Sequence, residues 1–211
     1  MPVLPQYWLE YEARFPYEIP VNPNEVRFVV LDTETTGFDY QKDRILSIGA
    51  LVLQKNEIKV RDSFSVFLRQ EIHSAETVKI HGILKNGNLN YVPEPEALQH
   101  FLVFLGNAII VAHHALFDIR MINTALERQG LPKLKNQYLD TCTLYKKTRL
   151  RSNLIKQQEN YTLDELADKF NVPKKDRHTA LGDAYITAIL FLKILSKLKE
   201  KREVTLKWLL G

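Results

Sequence analysis

Asp32 and Glu34 stand two residues apart where the apolar run Phe28-Val29-Val30-Leu31 gives way to Thr35-Thr36-Gly37. Four apolar residues in succession, mostly β-branched or aromatic, read as a strand buried on both faces. On a strand, residues i and i+2 project to the same side, so the two carboxylates converge at its end. Like charges that close repel, and a bound cation makes the arrangement favourable. An all-oxygen donor set suits Mg²⁺ or Mn²⁺ rather than zinc or copper. Alone, this D-x-E is no more than a strand ending in a polar turn. Two further acids change its weight: Asp118, in the first turn of a helix entered straight from a strand, and Asp183, near the start of the last long helix. His178 lies five residues before Asp183, too far to share its helix face, and so belongs to the loop that leads in.

The elements that must position these residues follow from local patterns. Tyr7, Trp8, Tyr11 and Phe15 have helical spacing and predict a short amphipathic helix packed on the domain, followed by a linker turn at 21–24. Segments 44–53 and 59–68 read as strands joined by Gln54-Lys55-Asn56-Glu57, a hairpin. A helix capped by Ser74 is expected to leave through His81-Gly82-Ile83, with Gly82 left-handed. Then come a helix over 94–105, a strand over 109–112, the helix carrying Asp118 and ending near Gly130, and a short strand end at Asp140 that caps the next helix. Segment 146–158 reads as a solvated helix face and loop. Thr162 and Glu165 form a capping-box pattern. The helix over 179–199 has a face that is small at its start, through Ala180, Ala184 and Ala188, which permits close approach to the sheet. Trp208-Leu209-Leu210 either folds back or meets a partner. Strands followed by alternating helices and strands indicate an α/β sandwich, its first three strands antiparallel and the later ones parallel.

Composition is that of a globular protein: 211 residues, 45% hydrophobic, 26% charged, no repeats. A net charge of +4 and a pI near 9.0 permit a polyanionic partner. One cysteine, Cys142, excludes an internal disulfide and a C-x-x-C site and fits a reducing cytoplasm. No apolar run approaches a membrane span, and the N-terminus lacks a signal pattern. The organisation expected is an aromatic-rich extension over 1–25, one domain over 26–198 and a short tail over 199–211.

Leu31-Asp32-Thr33-Glu34-Thr35-Thr36-Gly37, Ala112-His113-His114-Ala115-Leu116-Phe117-Asp118 and His178-Thr179-Ala180-Leu181-Gly182-Asp183-Ala184, in that order, resemble the three exonuclease motifs of the DnaQ-like superfamily in its DEDDh branch. That branch includes the proofreading epsilon subunit of the bacterial replicative polymerase. The stretch from Glu76 to Ile83 resembles a fourth, weaker element. The resemblance implies a ribonuclease H-like α/β domain with a central, mixed five-stranded sheet flanked by helices. It implies that Asp32, Glu34, Asp118 and Asp183 hold two Mg²⁺ (or Mn²⁺) ions, that His178 is the general base, and that Glu76, His81 and the backbone around Thr33 and Thr36 hold the 3′-terminal nucleotide. The implied activity is metal-dependent 3′-5′ release of nucleoside 5′-monophosphates from single-stranded or frayed DNA ends, in proofreading or repair. Two alternatives stay open: an RNA-trimming exoribonuclease of the same superfamily, because the metal site does not read the sugar, and a nonhydrolysing nucleic-acid-binding module of a polymerase complex. The family usually has Asn where this chain has His114, which bears on the turn before Asp118 rather than on the chemistry.

Overall fold

The computed structural model describes residues 3–15, 20–71, 75–83, 89–149 and 159–211. In chain order the elements are α1 (Gln6–Glu12), a 3₁₀ turn (Pro23–Glu25), β1 (Phe28–Thr35), β2 (Ile45–Gln54), β3 (Glu57–Leu68), α2 (Ala75–His81), β4 (Tyr91–Val92), α3 (Glu94–Leu105), β5 (Ile109–Ala112), α4 (Leu116–Arg128), β6 (Tyr138–Asp140), α5 (Thr141–Thr148), α6 (Leu163–Lys169), α7 (Ala180–Lys199) and α8 (Leu206–Leu210). The sheet has order β4-β3-β2-β1-β5-β6. β1, β2 and β3 pair antiparallel in sequence, and β5 and β6 extend the sheet in parallel from β1. Among the described residues the sheet therefore has six strands rather than five. The addition is β4, two residues parallel to the end of β3, too short to carry a hydrophobic period of its own.

β1 lies between two strands and under two layers. Phe28 and Val30 enter a core shared with α5, α6, α7 and α8, while Val29 and Leu31 enter the other, shared with α1, α3 and α4. Burial on both faces explains the unbroken apolar run. The hairpin between β2 and β3 turns on Lys55 and Asn56, both at positive φ (53° and 60°), the two-residue geometry that matches strand twist. In α1, Trp8 and Tyr11 are buried, and the Tyr11 hydroxyl donates to Asn136 Oδ1 at 2.5 Å. At the other end α8 folds back, with Leu206 and Leu209 in the α7-side core. Gly82 takes φ +69° as α2 ends, whereas Ser74 and residues 150–158 lie outside the described residues. The capping box at Thr162 and Glu165 is formed on both arms.

One glycine sets the distance between the layers. Gly49 in β2 faces the first turn of α7, and a Cβ there would lie 2.2 Å from Leu181 N and 2.3 Å from the Ala180 carbonyl carbon. Backbone meets backbone, so no rotamer can relieve the clash. Gly49→Ala is expected to destabilise the protein by about 1–3 kcal/mol, the usual scale of overpacking. That is a fall in Tm of about 2–4 °C for each kcal/mol in a chain of this size. Calorimetry checks it; an unchanged Tm would mean that α7 backs away without cost.

Candidate active site

Gly49 is also the register partner of Asp32, so the close contact of α7 with β2 delivers the start of that helix to the end of β1. Strand alternation carries Asp32 and Glu34 to the α7 side, where Asp183 meets them. Asp32, Glu34 and Asp183 each offer an oxygen within 4.8 Å of the others. Asp118 arrives from the opposite layer. Pairing of β1 with β5 stops at Val30, and past that point the first turn of α4 brings Asp118, buried, against Thr33, whose Oγ1 donates to Asp118 Oδ1 at 2.7 Å. Asp118 thus joins the site but stands outside the tight group of three.

Electrostatics mark the cluster as incomplete. Asp32 is raised well above the usual carboxylate range by desolvation first and then by Asp118, Asp183 and Glu34. Burial, with Asp183 beside it, pushes Glu34 to about 7, and burial also pushes Asp118 to about 7. Asp183 is raised by burial and held back by Arg177. Its Oδ1 is buried with no hydrogen-bond partner among the described residues. An orphaned carboxylate oxygen beside two more carboxylates fits a hard divalent cation. A consequence for stability follows. Carboxyls raised in the folded state bind protons more tightly there than in the unfolded chain, so the metal-free protein loses stability as pH rises from about 4.5 to about 7, the ordinary and shifted values of Glu34. Bound cations favour the ionised forms, so the rise in Tm on adding Mn²⁺ should be larger at pH 8 than at pH 5. Equal rises at both pH values would detach these carboxyls from the ion.

The remaining expected residues are placed unevenly. Thr36 is buried; its Oγ1 donates to Asp43 Oδ1 and accepts from Arg44 N. With Thr33 given to Asp118, both threonine side chains are turned inward, and only their backbone remains to meet a nucleotide. His81 is buried, and its Nδ1 accepts from Ile83 N at 3.0 Å, tying off the end of α2. Glu76 lies on α2, but its side chain is outside the described residues. His178 is exposed on the loop before α7 at φ +65°, and its N–H donates to Asp183 Oδ2 at 3.3 Å.

The turn before Asp118 holds with histidine in place of asparagine. His114 takes φ +57°, its carbonyl accepts from Phe117 N, and its Nε2 lies 3.1 Å from the Tyr161 carbonyl. His113 reaches the same carbonyl at 2.8 Å; desolvation, then His114, lowers its pKa to about 4. Asp140 caps α5 through Thr143 N and also accepts from Ala115 N, which fastens the turn from below.

Two features escaped the motif reading. Arg177 donates to Asp164 through Nε and Nη2 and to Asp183 Oδ2 through Nη1 at 2.5 Å; its adjacency to His178 was the available signal. Beyond Gly37, Phe38 is 81% exposed and its ring lies 5.7 Å from that of Phe117, which neighbours Asp118. Tyr40 packs on the same ring, with Arg120 over Tyr40.

A mixed sheet that brings acids from two helices to the end of a central strand defines the ribonuclease H-like class of metal-dependent nucleases. The chain belongs to the exonuclease family whose model matches residues 29–191, and its DnaQ-like character agrees with the motifs. It is 37% identical over 177 residues to DNA polymerase III PolC-type of Caldanaerobacter subterraneus, covering 83% of this chain and 12% of that protein. The chain thus spans about an eighth of such relatives. Among solved structures, exonuclease X in complex with 5′ overhanging duplex DNA superposes with a TM-score of 0.63 at 23% identity, covering 88% of this chain and 99% of that one. Escherichia coli exonuclease I in complex with a dT13 oligonucleotide gives 0.66 at 17%, covering 84% and 42%. The structural likenesses establish the fold.

Proposed function

We propose that this protein is a 3′-5′ exonuclease that removes nucleoside 5′-monophosphates from single-stranded or frayed DNA ends. The observation that carries the reading is the convergence of one oxygen each of Asp32, Glu34 and Asp183 within 4.8 Å, with Asp183 Oδ1 buried and without a hydrogen-bond partner among the described residues. These three and Asp118 would hold two Mg²⁺ or Mn²⁺ ions, which when bound lower the pKa of water and stabilise charge on a departing 3′-oxygen. His178, exposed on the loop before α7, takes the proton of the attacking water as general base. Phe38 and Tyr40, packed on the ring of Phe117, the residue before Asp118, offer ring faces on which unpaired bases stack. The backbone at Thr33 and Thr36, with Glu76 and His81 on α2, is the remaining grip on the terminal nucleotide. Residues 26–198 form the unit that carries the chemistry, with 1–25 and 199–211 attached to it. The relation to DNA polymerase III PolC-type supports a cytoplasmic role in proofreading or repair beside a polymerase. Among the described residues no helix is long and apolar enough to cross a membrane.

A time course on end-labelled single-stranded DNA, single-stranded RNA and blunt duplex, with Mn²⁺ or with chelator, tests the reading. Stepwise shortening from the 3′ end, fastest on single-stranded DNA and absent with chelator, is expected, since unpairing a terminal nucleotide costs about a few kcal/mol. Internal cutting, or digestion that survives the chelator, would overturn it. Faster shortening of RNA than of DNA would move the assignment to RNA trimming.

A further inference from the structure

We propose that Arg177 is a positioning residue that aims the Asp183 carboxylate into the metal site, and that Asp164 is the anchor from which it does so. The inference rests on the metal-binding reading given above. Arg177 spans two acids with its whole fork. Nε and Nη2 grip both oxygens of Asp164, at 2.9 and 3.2 Å, and Nη1 holds Asp183 Oδ2. Asp164 sits in the first turn of α6, an element that contributes no other polar group to the cluster.

The occupied and unoccupied oxygens of Asp183 point to the role. Oδ2 takes Nη1 of Arg177 and the backbone N–H of His178, while Oδ1 is buried without a hydrogen-bond partner among the described residues. A carboxylate clamped on one oxygen cannot rotate freely, which leaves Oδ1 as the oxygen available to an ion shared with Asp32 and Glu34. Ligand carboxylates are commonly oriented by such outer partners. A compact ammonium could not do the same, because a single point charge does not span two carboxylates bidentately.

The loop bearing Arg177 gives independent support. Asp176 and His178, on either side of it, are both left-handed, at φ +59° and +65°. Non-glycine residues persist there when their surroundings over-determine them. Here the Asp176 carbonyl accepts from Thr179 Oγ1. Gly182 leaves room for that carbonyl, since a Cβ would lie 2.1 Å from it. The loop is strapped to α7 at its base and to α6 through Arg177. Arg177 thereby fixes the Asp183 carboxylate and the backbone of His178 together.

Mn²⁺ titration by calorimetry, without substrate, separates this role from a general one. In Arg177→Gln the Kd for Mn²⁺ should rise roughly 10- to 100-fold, the usual cost of losing an outer partner of a ligand. Arg177→Lys should bind nearly as poorly, because the charge is kept and the fork is lost. Asp164→Ala, at a half-exposed position whose loss does not threaten folding, should weaken binding in the same direction by a smaller factor. If Arg177 merely neutralised the acids, Arg177→Gln would bind Mn²⁺ more tightly; that result, or unchanged binding in both Arg177→Gln and Asp164→Ala, overturns the proposal. Should Arg177→Gln fail to fold, Asp164→Ala decides. A wild-type protein that binds no Mn²⁺ would refute the metal-site reading itself.

Discussion

Asp32→Asn is expected to leave no measurable turnover while making the metal-free protein harder to melt. Asp32 lies at the centre of the repulsion, raised by burial and by three neighbouring carboxyls, so the isosteric amide removes a group that is costly to ionise there, without opening a cavity. A gain of about 1 kcal/mol would lift Tm by about 2–4 °C. The same change removes an anionic oxygen donor from the group of three that would hold the ions. Water activation and leaving-group stabilisation then fail together, and the loss should exceed the roughly 10²- to 10⁴-fold of a missing general base. Stability gained where function is lost is the expected signature of a site assembled against its own electrostatics. Digestion of labelled DNA at an undiminished rate by Asp32→Asn would sink the site assignment, and an unchanged Tm in chelator would sink the account of its strain.

His178→Asn should behave differently. Asparagine tolerates the left-handed conformation that residue 178 adopts, and its backbone N–H remains to donate to Asp183 Oδ2. The loop and the ligand set should therefore survive, and only the imidazole is lost. The expected result is a fall of roughly 10²- to 10⁴-fold in kcat with Mn²⁺ affinity unchanged by calorimetry. If His178→Asn binds fewer ions, the histidine is a ligand rather than a base. If its rate is unaltered, the proton leaves by another route.

What the sequence made legible is what short stretches of chain decide for themselves. The pair at Asp32 and Glu34 needs only the pleat of one strand, Asp118 only the step from strand into helix, and Thr162 and Glu165 only one helical turn. The histidine's place on a loop followed from its spacing to Asp183. What escaped depends on residues far apart in the chain. Nothing near Thr33 announces that its hydroxyl serves Asp118, and nothing near Asp164 announces Arg177 beyond a capping pattern. The small face at the start of α7 was visible, but its partner, Gly49, was one glycine in a strand until the helix was seen resting on it. β4 was missed because two residues form no pattern.

That contact at Gly49 divides the site into a part that evolution can retune and a part it cannot. The spacing of Asp32 and Glu34 belongs to the peptide backbone, and exchange of core side chains leaves it as it is. The third coordinate, the height of Asp183 above the sheet, is set where two main chains touch, so it has no side chain through which to drift outward gradually. Descendants of this chain are free to vary the proposed grip on substrate around Phe38 and α2, altering which ends are taken and how fast, while the carboxylate geometry passes on unchanged or is lost in one step.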